Sequence, residues 1–89
     1  MYGVNAVYGE KQFDVSELTE SSIRIDGLSG AFQVGEPFQF TLRIPLMGNM
    51  APLKVKGEVV HIEEGGVEVM FPPPTRNWPK IFNAIAKNV

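Results

Sequence analysis

The stretch FQFTLRI, Phe38 to Ile44, alternates without a break. Phe38, Phe40, Leu42 and Ile44 share one phase, and Gln39, Thr41 and Arg43 share the other. Successive side chains of an extended chain point to opposite faces, so this run fits a strand with one face buried and one in water. It does not fit a helix, whose apolar residues recur every three or four positions. The buried face needs a covering layer. A chain of 89 residues has room for one core near the lower limit of self-sufficiency, so that layer must come from further short strands of the same domain.

Such strands are legible on both sides. Pro45 removes a backbone donor and is expected to end the pairing, and Gly48 to Pro52 reads as a loop. A second strand begins at Leu53, with Leu53 and Val55 inward and Lys54 and Lys56 outward. Its alternation slips near Gly57, after which Val59, Val60 and Ile62 are all apolar. A bulge or bend at Gly57 accounts for the slip, as at the corners of small barrels. Glu63 to Gly66 supplies a tight turn, and Val67, Val69 and Phe71 return inward on the partner strand. Upstream, Phe13 and Val15 share a face, and Ile23 and Ile25 lie opposite Arg24. The segment MYGVNAVY reads as an edge strand with Tyr2, Val4, Ala6 and Tyr8 in phase, and LSGAFQVGEP as a loop.

The last segment changes period. Trp78, Ile81, Phe82 and Ile85 fall at i, i+3, i+4 and i+7, one apolar stripe of a helix expected over about residues 77–88. Asn77 suits the N-cap, Pro79 fits the first turn, and Lys87 suits the C-terminal dipole. A helix this short is marginal alone, so its stripe must pack on a barrel mouth or a partner. With no repeat and no linker, residues 1–89 read as one domain.

Composition narrows function. The chain is 44% hydrophobic and 10% aromatic, enough for a core, and its formal net charge is −2. That balance does not favour nucleic acid or an anionic membrane. There is no cysteine, hence no disulfide framework or thiolate metal site. No apolar run approaches the roughly 18 residues of a transmembrane helix, and the N-terminus lacks signal-peptide features. A cytoplasmic domain without a transmembrane segment is the expectation.

Catalytic chemistry is sparse. His61 is the single histidine, with no nucleophile elbow beside it; it reads as a half-exposed strand residue. Glu63 and Glu64 read as a solvated turn rather than ligands. Phosphate-binding glycine motifs are missing. The chain is expected not to be an enzyme and to hold no metal. An OB-like single-strand binder needs exposed aromatics along a basic groove. Here Phe13, Phe38, Phe40 and Phe71 sit on the buried phase, and Lys54, Lys56 and Arg43 form only a small basic face.

From Glu17 onward the chain resembles the PilZ domain, a six-stranded barrel of bacterial cyclic di-GMP signalling. PilZ domains carry a [D/N]-x-S-x-x-G segment leading into a strand. ELTESSIRI aligns with it without gaps, placing Glu17, Thr19 and Ser22 on the three motif positions, followed by Arg24 in the strand. VGEPFQFTLRIP, VKGEVVHI and GVEVMF then match the order of the later strands, and a C-terminal helix is common in the family. The resemblance implies an all-β fold, a small six-stranded antiparallel β-barrel with a C-terminal α-helix. It also implies cyclic di-GMP as the ligand and Glu17, Thr19, Ser22 and Arg24 as candidate ligand-binding residues. A second register, DVSELT, places Asp14 and Ser16 on the first two positions but needs extra residues before SIRI.

The departures shape the functional expectation. Ligand-binding members carry an R-x-x-x-R segment before the barrel, which suits phosphates and guanines. No arginine precedes Arg24 here, and Lys11 is the one lysine in that region. Ser22 replaces a glycine, which is awkward wherever that glycine needs positive φ. The leading expectation is a degenerate PilZ-like signalling module that does not bind cyclic di-GMP well by itself and acts through a protein partner or as one domain of a larger binder. The alternatives are direct cyclic di-GMP binding through Glu17–Ser22, with cations from Lys11, Arg24 or a preceding segment, and the OB-like binder.

Overall fold

The computed structural model describes residues 4–28, 32–46 and 48–87. Six strands, β1 (Asn5–Tyr8), β2 (Lys11–Leu18), β3 (Ser22–Asp26), β4 (Pro37–Leu46), β5 (Asn49–Glu63) and β6 (Gly66–Met70), precede helix α1 (Trp78–Lys87). The strands close into an antiparallel barrel in the order β1-β2-β3-β6-β5-β4. The Phe38 phase does what its alternation predicts. Phe38, Phe40, Leu42 and Ile44 are buried, and Ile23, Ile25, Val55, Val59, Val67 and Val69 join them in one core. Among the described residues no polar or charged side chain is buried.

The segment expected to be an edge strand instead closes the barrel. β1 pairs with β2 on one side and, through Asn5, Ala6 and Val7, with β4 on the other. Ala6 is fully buried between them. Tyr2, expected in phase with it, lies outside the described residues.

Both prolines sit inside a ladder, contrary to the loop expected over Gly48–Pro52. Pro45 is opposite Met50, Pro52 is opposite Arg43, and β4 and β5 stay paired to Leu46 and Asn49. The hydrogen bonds explain this. The Val59 N–H donates to the Glu36 carbonyl at 3.0 Å, and the Val59 carbonyl accepts from Gly35 at 2.7 Å. Backbone groups of a strand alternate in direction, so odd-numbered residues of β5 up to Val59 turn toward β4 and even-numbered ones turn away. Pro52 therefore points away from β4, and Pro45 points to the β1 side, beyond the last described β1–β4 pair. Neither removes a ladder bond among the described residues, the condition under which sheets tolerate proline.

The bulge is also displaced from its expected place. The β5–β6 register shifts between Val59 and His61, not at Gly57. Gly57 is needed for another reason: a Cβ there would strike the Met70 carbonyl oxygen and lie 2.7 Å from Val69 Cγ1. A second irregularity, between Val15 and Glu17, lets Val15 and Leu18 both enter the core although they are three residues apart.

Helix α1 begins as expected. The Ile81 N–H donates to the Asn77 carbonyl at 3.0 Å, the first i→i+4 bond, with Asn77 in the cap position. Trp78 and Ile85 are buried, and Ile81 and Phe82 pack on the same core. Trp78 meets Phe71 edge-on at 5.8 Å. The stripe thus packs against the barrel at the end that carries the β2–β3 turn.

Candidate functional site: the β2–β3 hairpin

The turn between β2 and β3 is built by hydroxyl chemistry. The Thr19 N–H donates to the Ser22 carbonyl at 2.8 Å. Thr19 Oγ1 accepts from the N–H groups of Ser22 at 2.9 Å and Ser21 at 3.2 Å, and it lies 2.7 Å from Ser22 Oγ. A hydroxyl offers two lone pairs and one proton, so these contacts use the full capacity of Thr19. Side chains of this type routinely tie a turn to its own backbone.

Two long-range bonds fix the turn to the rest of the fold. Trp78 Nε1 donates to the Glu20 carbonyl at 2.6 Å, and the Phe71 N–H donates to the Ser21 carbonyl at 2.9 Å. Ser22, at the position where the motif has glycine, needs no left-handed backbone. Among the described residues Glu10 is the one non-glycine with positive φ. The strain foreseen for serine here does not arise.

Arg24 is committed elsewhere. It is the cross-strand neighbour of Glu17, yet its Nε lies 3.1 Å from Asp26 Oδ1 and its Nη1 pairs with Glu63 Oε2. Ser16 Oγ donates to the same Asp26 oxygen at 3.1 Å, and His61 Nε2 lies 3.2 Å from Glu63 Oε1. Donation from Arg24 holds the Glu63 carboxyl below its usual range, and bonds to Glu63 and then Asp26 raise the Arg24 guanidinium. Gly66 leaves room for the guanidinium, since a Cβ there would come within 3.3 Å of Arg24 Nη2.

The hairpin thus brings the four candidate residues onto one element, with Thr19 joined to Ser22 and Glu17 opposite Arg24. It does not bring Lys11 to them. Lys11 starts β2 beside the β1–β2 turn, roughly 25 Å of extended chain from Thr19. Sequence reasoning missed the Arg24–Asp26–Glu63 cluster and took Glu63 for a solvated turn residue. The i, i+2 phase of Arg24 and Asp26 was a signal; the approach of Glu63, from a strand 39 residues on, had none.

The arrangement ties strands together, joining Ser16 of β2 and Arg24 and Asp26 of β3 to Glu63 of β5. Among the described residues no group of three or more side chains is placed to hold a metal ion, and no helix is long and apolar enough to cross a membrane. Clefts open elsewhere on the barrel. One of about 440 Å³ lies beside Tyr8, Phe40, Lys54 and Lys56. Another of about 280 Å³ lies between Lys54, Lys56 and Pro72–Pro74.

No family model matches the chain, and no curated protein matches it. Its fold is similar to the crystal structure of an uncharacterized protein from Legionella, with a TM-score of 0.63 at 13% sequence identity. The match covers 97% of this chain and 84% of that one. At that identity the likeness is one of fold: a closed six-stranded antiparallel barrel with a C-terminal helix.

Proposed function

We propose that the chain is a degenerate PilZ-like module of bacterial cyclic di-GMP signalling that acts through a protein partner, without catalysis and without binding the nucleotide through Glu17–Ser22. The observation that carries this reading is the internal use of the motif side chains. Thr19 Oγ1 is saturated by Ser21 and Ser22, and the Arg24 guanidinium is held by Asp26 and Glu63. A doubly anionic ligand would have to break both sets of contacts. It would also face Glu17, which enters no ion pair among the described residues.

Calorimetric titration of the chain with cyclic di-GMP tests the reading. No saturable heat is expected, and micromolar or tighter binding overturns it. The second reading, direct binding, draws support from the way the hairpin gathers Glu17, Thr19, Ser22 and Arg24. It requires Thr19→Ala and Arg24→Ala to weaken a measured affinity. The OB-like reading draws less support, because Phe38, Phe40 and Phe71 are buried and offer no platform for stacked bases.

A further inference from the structure

One stretch of β5 has backbone groups without partners among the described residues. β6 pairs with β5 only from Glu58 to Glu63, so the side of β5 facing away from β4 is open from Asn49 to Lys56. The even-numbered residues turn there. Met50, Lys54 and Lys56 present both N–H and C=O, and Pro52 presents C=O alone. No other described backbone segment hydrogen-bonds to them. The chain alongside is Pro72–Pro74, which shares the 280 Å³ cleft with Lys54 and Lys56. Three prolines have no N–H and cannot supply the second half of a ladder.

The side chains add chemistry to this edge. Lys54 and Lys56 are exposed, two residues apart on one face, and enter no ion pair among the described residues. They form a local cationic pair on a chain of net charge −2. Glu58, next on that face, is already paired across to Met70 of β6. Beyond it, a cleft of about 360 Å³ is lined by Val60, Met70, Phe71 and Pro72, and Met70 is 50% exposed.

We propose that the Asn49–Lys56 edge of β5 docks an extended segment of a partner protein by strand addition, and that the segment carries two acidic residues separated by one. Main-chain bonds to Lys54 and Lys56 provide the pairing, and side chains of alternate residues provide the selectivity. Acids two apart on an added strand stand opposite the two lysines, where opposite charges favour pairing. An apolar residue beyond the acids meets Met70 and Pro72. Two copies of this chain pairing through the same lysines would set like charges opposite each other, so the occupant is a different, acidic chain. This inference rests on the reading of the protein as a partner-binding module.

The test selects a random twelve-residue peptide display library on the whole 89-residue chain. Recovered peptides are then titrated into the isotopically labelled chain by nuclear magnetic resonance. Acid-x-acid peptides are expected, with shift changes concentrated over residues 49–56 and slowed exchange of the Lys54 and Lys56 amides. Lys54→Glu/Lys56→Glu should weaken binding about tenfold or more at unchanged Tm, and Lys54→Gln/Lys56→Gln by less. Four results overturn the proposal: no recovered peptide, peptides lacking the acidic pair, shifts centred on the Tyr8 end, or self-association of the chain through β5. Cyclic di-GMP binding would overturn the function proposed above without altering this result. A failed selection would overturn this inference and leave the calorimetric result standing.

Discussion

At the β2–β3 turn, Thr19 accepts from two N–H groups and meets the Ser22 hydroxyl, and the Glu20 and Ser21 carbonyls accept from Trp78 and Phe71. Along β5 from Asn49 to Lys56, one side of the strand is fully paired to β4, and at Lys54 and Lys56 the other side shares a cleft with three prolines. Both regions face solvent, and both carry polar residues in a pattern that attracts a functional interpretation. They differ in whether their hydrogen-bonding groups are already used. A polar motif whose groups bond within the fold stabilises its own turn, whereas a strand with unpaired backbone groups is an edge onto which another strand can add.

The largest test of the turn's anchoring is Trp78→Ala. It removes a fully buried side chain, its contacts with Phe71 and Phe82, and the bond to Glu20. Chemical denaturation should show a loss of about 3–5 kcal/mol. A loss well below that range would mean the helix does not secure the turn. Gly57→Ala probes where the open edge begins. Its Cβ would press on the Met70 backbone and Val69, and a loss of about 1–3 kcal/mol is expected from overpacking. A neutral result would show that β6 does not cross β5 as closely as described.

Thr19→Ala sharpens the contrast directly. Removing a hydroxyl that accepts from local N–H groups costs about 1 kcal/mol, so a modest fall in stability is expected. A neutral outcome by denaturation would free the residue for another role. The smallest effect concerns Glu63. Its carboxyl is held below the ordinary value of 4.5 by Arg24. A lowered carboxylate contributes stability above its ordinary value and loses it as pH falls through the lowered one. Arg24 stays charged throughout. Glu63→Gln should therefore flatten the stability profile below about pH 4.5. The pair is exposed, so the effect should shrink further in salt. Equal acid slopes for the variant and the parent chain would contradict the pairing.

What the sequence revealed follows from range. The alternation of Phe38–Ile44 and of Val67–Phe71, and the stripe Trp78–Ile81–Phe82–Ile85, are local periodicities, and each produced its element. Pro45 and Pro52 were misleading because a proline's cost depends on which neighbour lies on its nitrogen side. That is a property of the assembled sheet. Gly57 looked like a bulge because glycine permits one, but its requirement comes from the Met70 backbone of another strand. At the candidate site, the turn chemistry of Thr19 and Ser22 was open to sequence reasoning as an alternative to ligand binding. The capture of Arg24 by Glu63 was not, since it depends on register between β3, β6 and β5. The free edge of β5 was equally hidden, because it exists only where β6 ends.

Amide hydrogen exchange measured residue by residue tests this contrast most directly. Leu53 and Val55, turned toward β4, should exchange slowly. Ser22, bonded to Thr19, should be protected relative to an open chain. Lys54 and Lys56, interleaved with the protected residues on the same strand, should exchange fast. Lys54 and Lys56 amides as slow as that of Val55, or a Ser22 amide as fast as theirs, would contradict the account.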